Sequence, residues 1–260
     1  ADLNTNNFCL DPKSVEKCIT PRTKAIMVVH LYGHPADMDE LIAIAKKHNL
    51  KIIEDAAHAP LAKYKGRPVG ALTHVGGFSL NYHKHIHTGE GGVIVTNDDE
   101  MAKRCQLIRN HGENLVDFVG VKDITNMIGS NYRMTELQAA IGLAQLEVIG
   151  DWVSVRMKLA ERLSKRLAQL PGVKPPMVAE GCTHSYYLYP ILVDPDQLGI
   201  SREVFIKAVN REFLTPKGWE QTVLVKGYGQ PLYYARVYQE QIALGSKGFP
   251  FNFNTGVKYN

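Results

Sequence analysis

Long apolar runs are missing from this 260-residue chain. No stretch approaches the 18 or more consecutive apolar residues of a membrane-spanning helix, and Ala1-Asp2-Leu3-Asn4 lacks the basic, then apolar, pattern of a secretory leader. An initiator Met is absent too, so Ala1 is not assumed to be the natural start. Cysteine is scarce: Cys9, Cys18, Cys105 and Cys182 lie far apart with no paired spacing. That excludes a zinc knuckle or a disulfide framework and points to a reducing cytoplasm. Charge of one sign is also lacking. Thirty Lys and Arg against 26 Asp and Glu leave +4, without a basic run, too little to argue for nucleic acid. No bias toward disorder, collagen or coiled coil is visible, because 45% hydrophobic and 22% charged residues are ordinary soluble globular material.

What is present is enough length for roughly two domains and a core that needs no covalent staple. Thr23 to Leu31 is an apolar run of strand length that ends in the turn chemistry of Tyr32-Gly33-His34-Pro35. Asp37 stands three residues before Glu40, a capping-box spacing, and Met38, Leu41, Ile42 and Ala45 share one helical face, which predicts a helix over 38–48. Lys51 to Asp55 reads as a second strand, so the unit is βαβ and the sheet parallel. Short strands are expected near 77–80 and 92–96, then a helix capped by Asp98 and Asp99 that stops at His111-Gly112, then a loop over 115–130. Thr135 and Gln138 form a capping box for an Ala-rich helix over 136–149, apolar nearly all round and therefore expected to be buried. Trp152, Leu159, Leu163, Leu167 and Leu170 form one stripe of a long amphipathic helix. A strand over 186–193 and a helix over 201–213 follow the breaks at Pro171-Gly172 and Pro175-Pro176. The domain boundary is placed near Asp151.

Three places could carry chemistry. Asp55 ends an apolar parallel strand, where open α/β sheets collect ligands, and its carboxylate could hold a cationic ring nitrogen; a turn or cap role is the plainer reading. In the stretch 77–92, Gly89, Gly91 and Gly92 permit a tight turn, Ser79 can donate to an anion, and Lys84 is either a solvated loop lysine or a Schiff-base nucleophile. His83, His85 and His87 alternate, which on an extended segment sets them on one face as metal ligands, or leaves them as structural histidines. Gly129 to Thr135 offers Asn131 and Arg133 from a loop that otherwise serves only as helix entry. The pairs Tyr186-Tyr187 and Tyr233-Tyr234 read as core and interface filler.

Taken together, these residues resemble the DegT/DnrJ-type sugar aminotransferases, which carry pyridoxal 5'-phosphate (PLP) on the aspartate aminotransferase fold. The resemblance is carried by Arg22 to Ile26, His30 to Gly33, Glu54 to Ala59, Tyr64 to Arg67, Phe78-Ser79, Lys84 with Gly89 to Gly92, His111-Gly112, and Asn131 to Ala140. It implies an α/β fold with a mostly parallel sheet sandwiched by helices in a PLP-binding large domain, residues 1–150, and a smaller α+β C-terminal domain, residues 151–260. The family pattern starts earlier and ends later than this chain, so both domains are expected to be truncated. By position, Lys84 matches the lysine that bonds the cofactor and shuttles a proton, and Asp55 the carboxylate that pairs with the pyridinium nitrogen. His58 falls where relatives have Gln or His near the phenolic oxygen, Ser79 matches a phosphate-binding hydroxyl, and Asn131 an amide that reaches the phosphate of a neighbouring subunit. A cytoplasmic homodimer with shared sites is implied, moving an amino group in two stages from glutamate or glutamine to a nucleotide-linked keto sugar or related cyclic keto-alcohol. Relatives with His in place of the lysine dehydrate the sugar instead, and Lys84 favours transfer. A PLP-dependent dehydratase or isomerase, a non-catalytic regulatory homologue and a metal-binding protein are the rivals.

Overall fold

A computed structural model describes residues 1–112, 127–213, 223–228, 231–243 and 248–251. The chain forms two compact units, Ala1–Leu192 and Val193–Asn260. The division expected at residue 151 falls in the first turn of a long helix of the first unit.

The first unit is built on a four-stranded sheet. Strands β1 (Ala25–Val29) and β2 (Lys51–Asp55) pair in parallel with Val29 opposite Asp55, and helix α1 (Pro12–Cys18) and helix α2 (Met38–Lys47) pack on the β1–β2 side. A hairpin of β3 (Lys63–Tyr64) and β4 (Arg67–Pro68) intervenes before β5 (Val75–Ser79), which pairs in parallel with β2, setting Asp55 opposite Gly77. Strand β6 (Gly92–Val95) closes the edge antiparallel to β5, so the sheet is mixed and mostly parallel, with order β1-β2-β5-β6. Helix α3 (Asp99–Arg109) starts at the Asp98 cap, and helices α4 (Glu136–Leu146) and α5 (Ile149–Leu167) follow. Strand β7 (Val173–Lys174) precedes β8 (Cys182–Thr183), which adds to β3 with Tyr64 opposite Cys182. The second unit holds helices α6 (Pro195–Leu198), α7 (Arg202–Glu212) and α8 (Arg236–Gln239), with Asn210 exchanging two hydrogen bonds with the Leu224 backbone.

Alternation along the strands sorts the side chains. Ile26, Val28 and Ile52 turn inward against Met38, Leu41 and Ile44 of α2, and Glu54 turns inward with them, fully buried. Its carboxylate accepts from His30 Nε2 at 3.1 Å, from the backbone N–H groups of Gly70, Leu72 and Thr73 at 2.7–2.8 Å, and from the Thr73 hydroxyl at 2.9 Å. His30 Nδ1 accepts from Ala36 N–H, which leaves Nε2 as the protonated nitrogen facing Glu54. Burial alone would raise the Glu54 pKa, but these donors outweigh it and hold the carboxyl below its ordinary value.

Several expectations need correction. The Asp37 side chain does not cap α2; it accepts instead from the Asn4 and Asn7 amides, which compete for the same oxygens. Helix α4 keeps its Thr135–Gln138 capping box but is not buried: Leu137, Ile141, Leu143 and Leu146 are exposed, and only Gly142 is covered. An apolar helix surface is covered only where another element packs on it, and among the described residues none covers these four. On α5, Ile149, Val153 and Ala160 are the buried residues, while Trp152, Leu159 and Leu163 of the expected stripe face outward. The strand expected over 186–193 is confined to Leu192–Val193, and its first residue, Tyr186, takes a positive φ of 52° that no strand residue adopts. Of the loop expected over 115–130, residues 115–126 lie outside the described residues, and 127–130 carry no regular structure.

Replacing Glu54 by Ala removes one partner of a wholly buried network. The expected loss is about 3–5 kcal/mol in a urea melt, with a smaller loss for Glu54→Gln, which retains an acceptor. Equal stability of the Ala variant and the parent would show that the clamp is dispensable.

Candidate functional site

Because β2 is parallel and Glu54 faces the core, its neighbour Asp55 emerges on the opposite face at the carboxyl end of the sheet. There it lines a groove of about 400 Å³ with Ala57, Gly77, Ser79 and Gly91, walled by Met27, Ile53 and Ile94. Asp55 Oδ1 accepts from Ala57 N–H at 3.0 Å, so the turn role and the groove position coexist in one side chain. Ser79 Oγ accepts from Asn81 N–H at 3.3 Å, an arrangement that leaves its proton to donate outward. Directly opposite Asp55, a Cβ built on Gly77 meets nothing within 4 Å. The missing side chain leaves flat space beside the carboxylate, which a planar ring can fill.

Lys84 is carried by the loop between β5 and β6. That loop is pinned by Leu80 N–H to Gly91 O, Thr88 N–H to Leu80 O and Lys84 N–H to Asn81 O, each 2.9 Å, and by the Asn81 amide on Glu90 at 2.6 Å. Burial pushes the Lys84 pKa below its ordinary value, against the opposing pull of Asp55. His58 lies in the same field. It accepts from Tyr32 N–H at Nδ1, and burial, with Lys84 next, lowers its pKa to about 4, so it is a neutral imidazole at pH 7.

The three alternating histidines do not share a face, because 82–86 turns and bends and is not a strand. His83 is exposed, His85 is buried with Nε2–H donating to Ser185 O at 2.9 Å, and His87 is tied through its backbone to the Gln145 amide. Among the described residues no cluster of three His, Cys, Asp or Glu side chains is placed to hold a metal ion.

The structure thus brings Asp55, His58, Ser79 and Lys84 to one end of the sheet, and it sets Asn131 elsewhere. Asn131 bridges to Asn110 and accepts from Arg133 Nε at 3.1 Å, while Arg133 also donates to Asn110 at 2.8 Å. A residue outside the sequence-based set also enters. Tyr187 stacks on His58 with ring centroids 4.1 Å apart and places its face 4.6 Å from Lys84 Nζ. Nothing in the spacing of the Tyr pairs marked it. Ser185, two residues before it, is no local signal either, because its fit against a glycine 152 positions away appears only on folding.

Comparison with known proteins places the chain in a family. Residues 1–248 match the DegT/DnrJ/EryC1/StrS aminotransferase family. The chain belongs to that family, which is PLP-dependent. It is 41% identical over 219 residues to GDP-perosamine synthase of Caulobacter vibrioides, covering 78% of this chain and 58% of that protein. It is 36% identical over 223 residues to L-glutamine:2-deoxy-scyllo-inosose aminotransferase of Streptoalloteichus tenebrarius, covering 83% and 52%. The crystal structure of S. venezuelae DesV in complex with a ketimine intermediate superposes with a TM-score of 0.77 at 33% identity, covering 93% of this chain and 60% of that one. The chain therefore spans a little over half the length of these relatives. Among the described residues no helix is long and apolar enough to cross a membrane.

Neutral buried imidazoles make the fold acid-sensitive. The His58 pKa falls to about 4 and that of His184, buried beside His34, to about 3. An unfolded chain binds these protons near pH 6.5, so their contribution is present above pH 6.5 and is lost as pH falls toward 4. The melting temperature is expected to drop across that window, and less steeply in His184→Gln. A flat profile from pH 7 to 4 would contradict neutral burial.

Proposed function

We propose that the protein is a PLP-dependent aminotransferase that moves an amino group from glutamate or glutamine to a nucleotide-linked keto sugar or a related cyclic keto-alcohol. The single observation that carries this reading is the convergence of Asp55, Ser79 and Lys84 on a groove-bearing sheet end in a chain of this family. When bound, PLP supplies an electron-withdrawing ring that stabilises negative charge at the donor's α-carbon.

The chain's own residues divide the work by charge. Asp55 would hold a proton on the cofactor's ring nitrogen by pairing with it, and Gly77 opposite bears no side chain to obstruct a ring. Ser79 donates to a phosphate at the sheet end. Lys84, with its pKa lowered by burial, offers a larger share of neutral amine at Nζ, which would hold the cofactor and, once the donor's amine had displaced it, would be free to take the proton from the donor's α-carbon. Neutral His58 can donate from Nε2 to a phenolic oxygen without adding charge. Lys84 favours transfer over dehydration, which dispenses with that amine.

Asn131 is assigned to a neighbouring subunit's phosphate, within a homodimer that shares its sites. Supporting this, Asn131 lies outside its own groove, and Tyr132 beside it and the apolar residues of α4 are exposed. The four free cysteines accord with a cytoplasmic protein. Residues 1–150 would then form the cofactor-binding large domain and 151–260 the small one.

The protein with PLP added is expected to show a visible band that borohydride fixes to the Lys84 peptide. Lys84→Ala is expected to lose the band and to slow amine formation roughly a thousandfold or more. A folded protein without such a band would remove the aminotransferase reading. Gly77→Val, at a strand position that accepts a side chain, is expected to weaken PLP binding about tenfold or more while leaving the fold intact. Unchanged PLP affinity in that variant would move the ring elsewhere.

A further inference from the structure

The segment that follows β8 is not filler beside the site but is built into it. Ser185 N–H donates to Gly33 O at 3.0 Å, and its hydroxyl lies 3.3 Å from His58 O and 3.5 Å from Gly33 O. Gly33 has φ of 100°, and a Cβ there would stand 2.6 Å from Ser185 Oγ, so the two segments meet at a distance that only glycine allows. His85 Nε2–H donates to Ser185 O, and Arg156 of α5 donates to Tyr186 O at 3.0 Å. His184 Nδ1 accepts from Tyr186 N–H, and the two rings stack 3.9 Å apart. Elements from four regions of the sequence thus fix the backbone just before Tyr187, and just after it Leu188 N–H donates to Tyr32 O at 3.4 Å.

With its backbone held, the Tyr187 ring has few places to go. One face stacks on His58 at an interplanar angle of 17°, and His85 and His83 lie tilted at 5.9 and 6.2 Å. The Lys84 ammonium lies 4.6 Å from the ring centroid, within the range in which an aromatic face attracts a cation. Among the described residues, Lys84 is therefore held by a ring face and not by an ion pair with Asp55.

That choice of partner matters for the site. An ion pair between Lys84 and Asp55 would occupy both groups that a bound ring must engage. A ring face attracts the amine weakly, without a proton acceptor, and leaves the Asp55 carboxylate to the groove. It also restrains a side chain that would otherwise sample many rotamers.

We infer that Tyr187 is a positioning residue that holds the Lys84 ammonium through its ring face, backed by the His58 stack, before the cofactor is engaged. This deepens the proposed function and rests on its reading of Lys84 as the reactive lysine.

The test reads the amine directly, with no cofactor present. Trace labelling of the full chain with acetic anhydride across pH, followed by peptide mass spectrometry, gives the midpoint at which Lys84 becomes reactive, and Lys84→Ala identifies its peptide. The charged and titratable groups around Lys84 are Asp55, His58, His83 and His85, with Arg156 behind His85, and all are unchanged in the variants. Tyr187→Phe retains the face and is expected to titrate with the parent. Tyr187→Leu and Tyr187→Met retain apolar bulk but lack the face. They are expected to move the midpoint to lower pH by roughly 0.4–0.7 unit, a two- to five-fold change in the ammonium's favour lost. Two non-aromatic variants are used so that one that fails to fold, as judged by circular dichroism, leaves the other.

Leu and Met variants that titrate with the parent would overturn the inference, as would a Phe variant that shifts as far as they do. If Lys84 labelling shows this ring dependence but PLP gives no visible band with the parent chain, the proposed function fails and the inference about Tyr187 stands.

Discussion

A carboxylate with no access to water cannot stay charged unless donors surround it, and Glu54 is surrounded by five. The consequences spread in two directions. Along β2, an inward Glu54 obliges an outward Asp55, because neighbouring side chains in a strand point to opposite faces. Across the chain, the donors are loop backbone: residues 70–73 close over the carboxylate, and His30 brings the 30–36 turn to it through the Ala36 N–H. One interaction sets the rotation of the strand that carries Asp55 and fastens the turn that carries Gly33.

Gly33 in turn receives Ser185, and this second junction turns a sheet end into a site. The groove beside Asp55 would exist without residues 182–189, but the amine of Lys84 would have no aromatic face and His58 no stacking partner. Burial by this segment contributes to the lowered pKa values of His58, Lys84 and His85 at one place. Perturbed groups gathered at one sheet end, beside a groove, are what marks this end as the candidate site. His184 shows the other case, a strongly shifted imidazole whose bonds and stacking are all internal.

The first unit also keeps much apolar surface in view, on α4 and on the groove face of the sheet at Met27 and Ile94. The same alternation explains both faces of the sheet: Ile26, Val28 and Ile52 meet α2, and their neighbours along the strands look the other way. Helix α4 is apolar nearly all round in sequence and yet exposed in the fold. Hydrophobicity states what a surface would gain from cover and not whether the chain itself supplies that cover.

The sequence by itself determined whatever depends on near neighbours. The βαβ order, the Asp98 and Thr135 caps, Asp55 at a strand's end and Lys84 in a glycine-rich turn all follow from spacings of a few residues, because backbone periodicity and local hydrogen bonding act at that range. The family pattern, read in order along the chain, named Asp55, His58, Ser79, Lys84 and Asn131 as a set. Tertiary structure alone decided the rest. Asp37 went to Asn4 and Asn7 and not to its helix, the three histidines parted because 82–86 turns and bends, and Tyr187 reached Lys84 from 103 positions away. Each of those outcomes is a competition between partners distant in sequence. No local pattern ranks such partners, because their distances exist only once the chain has folded.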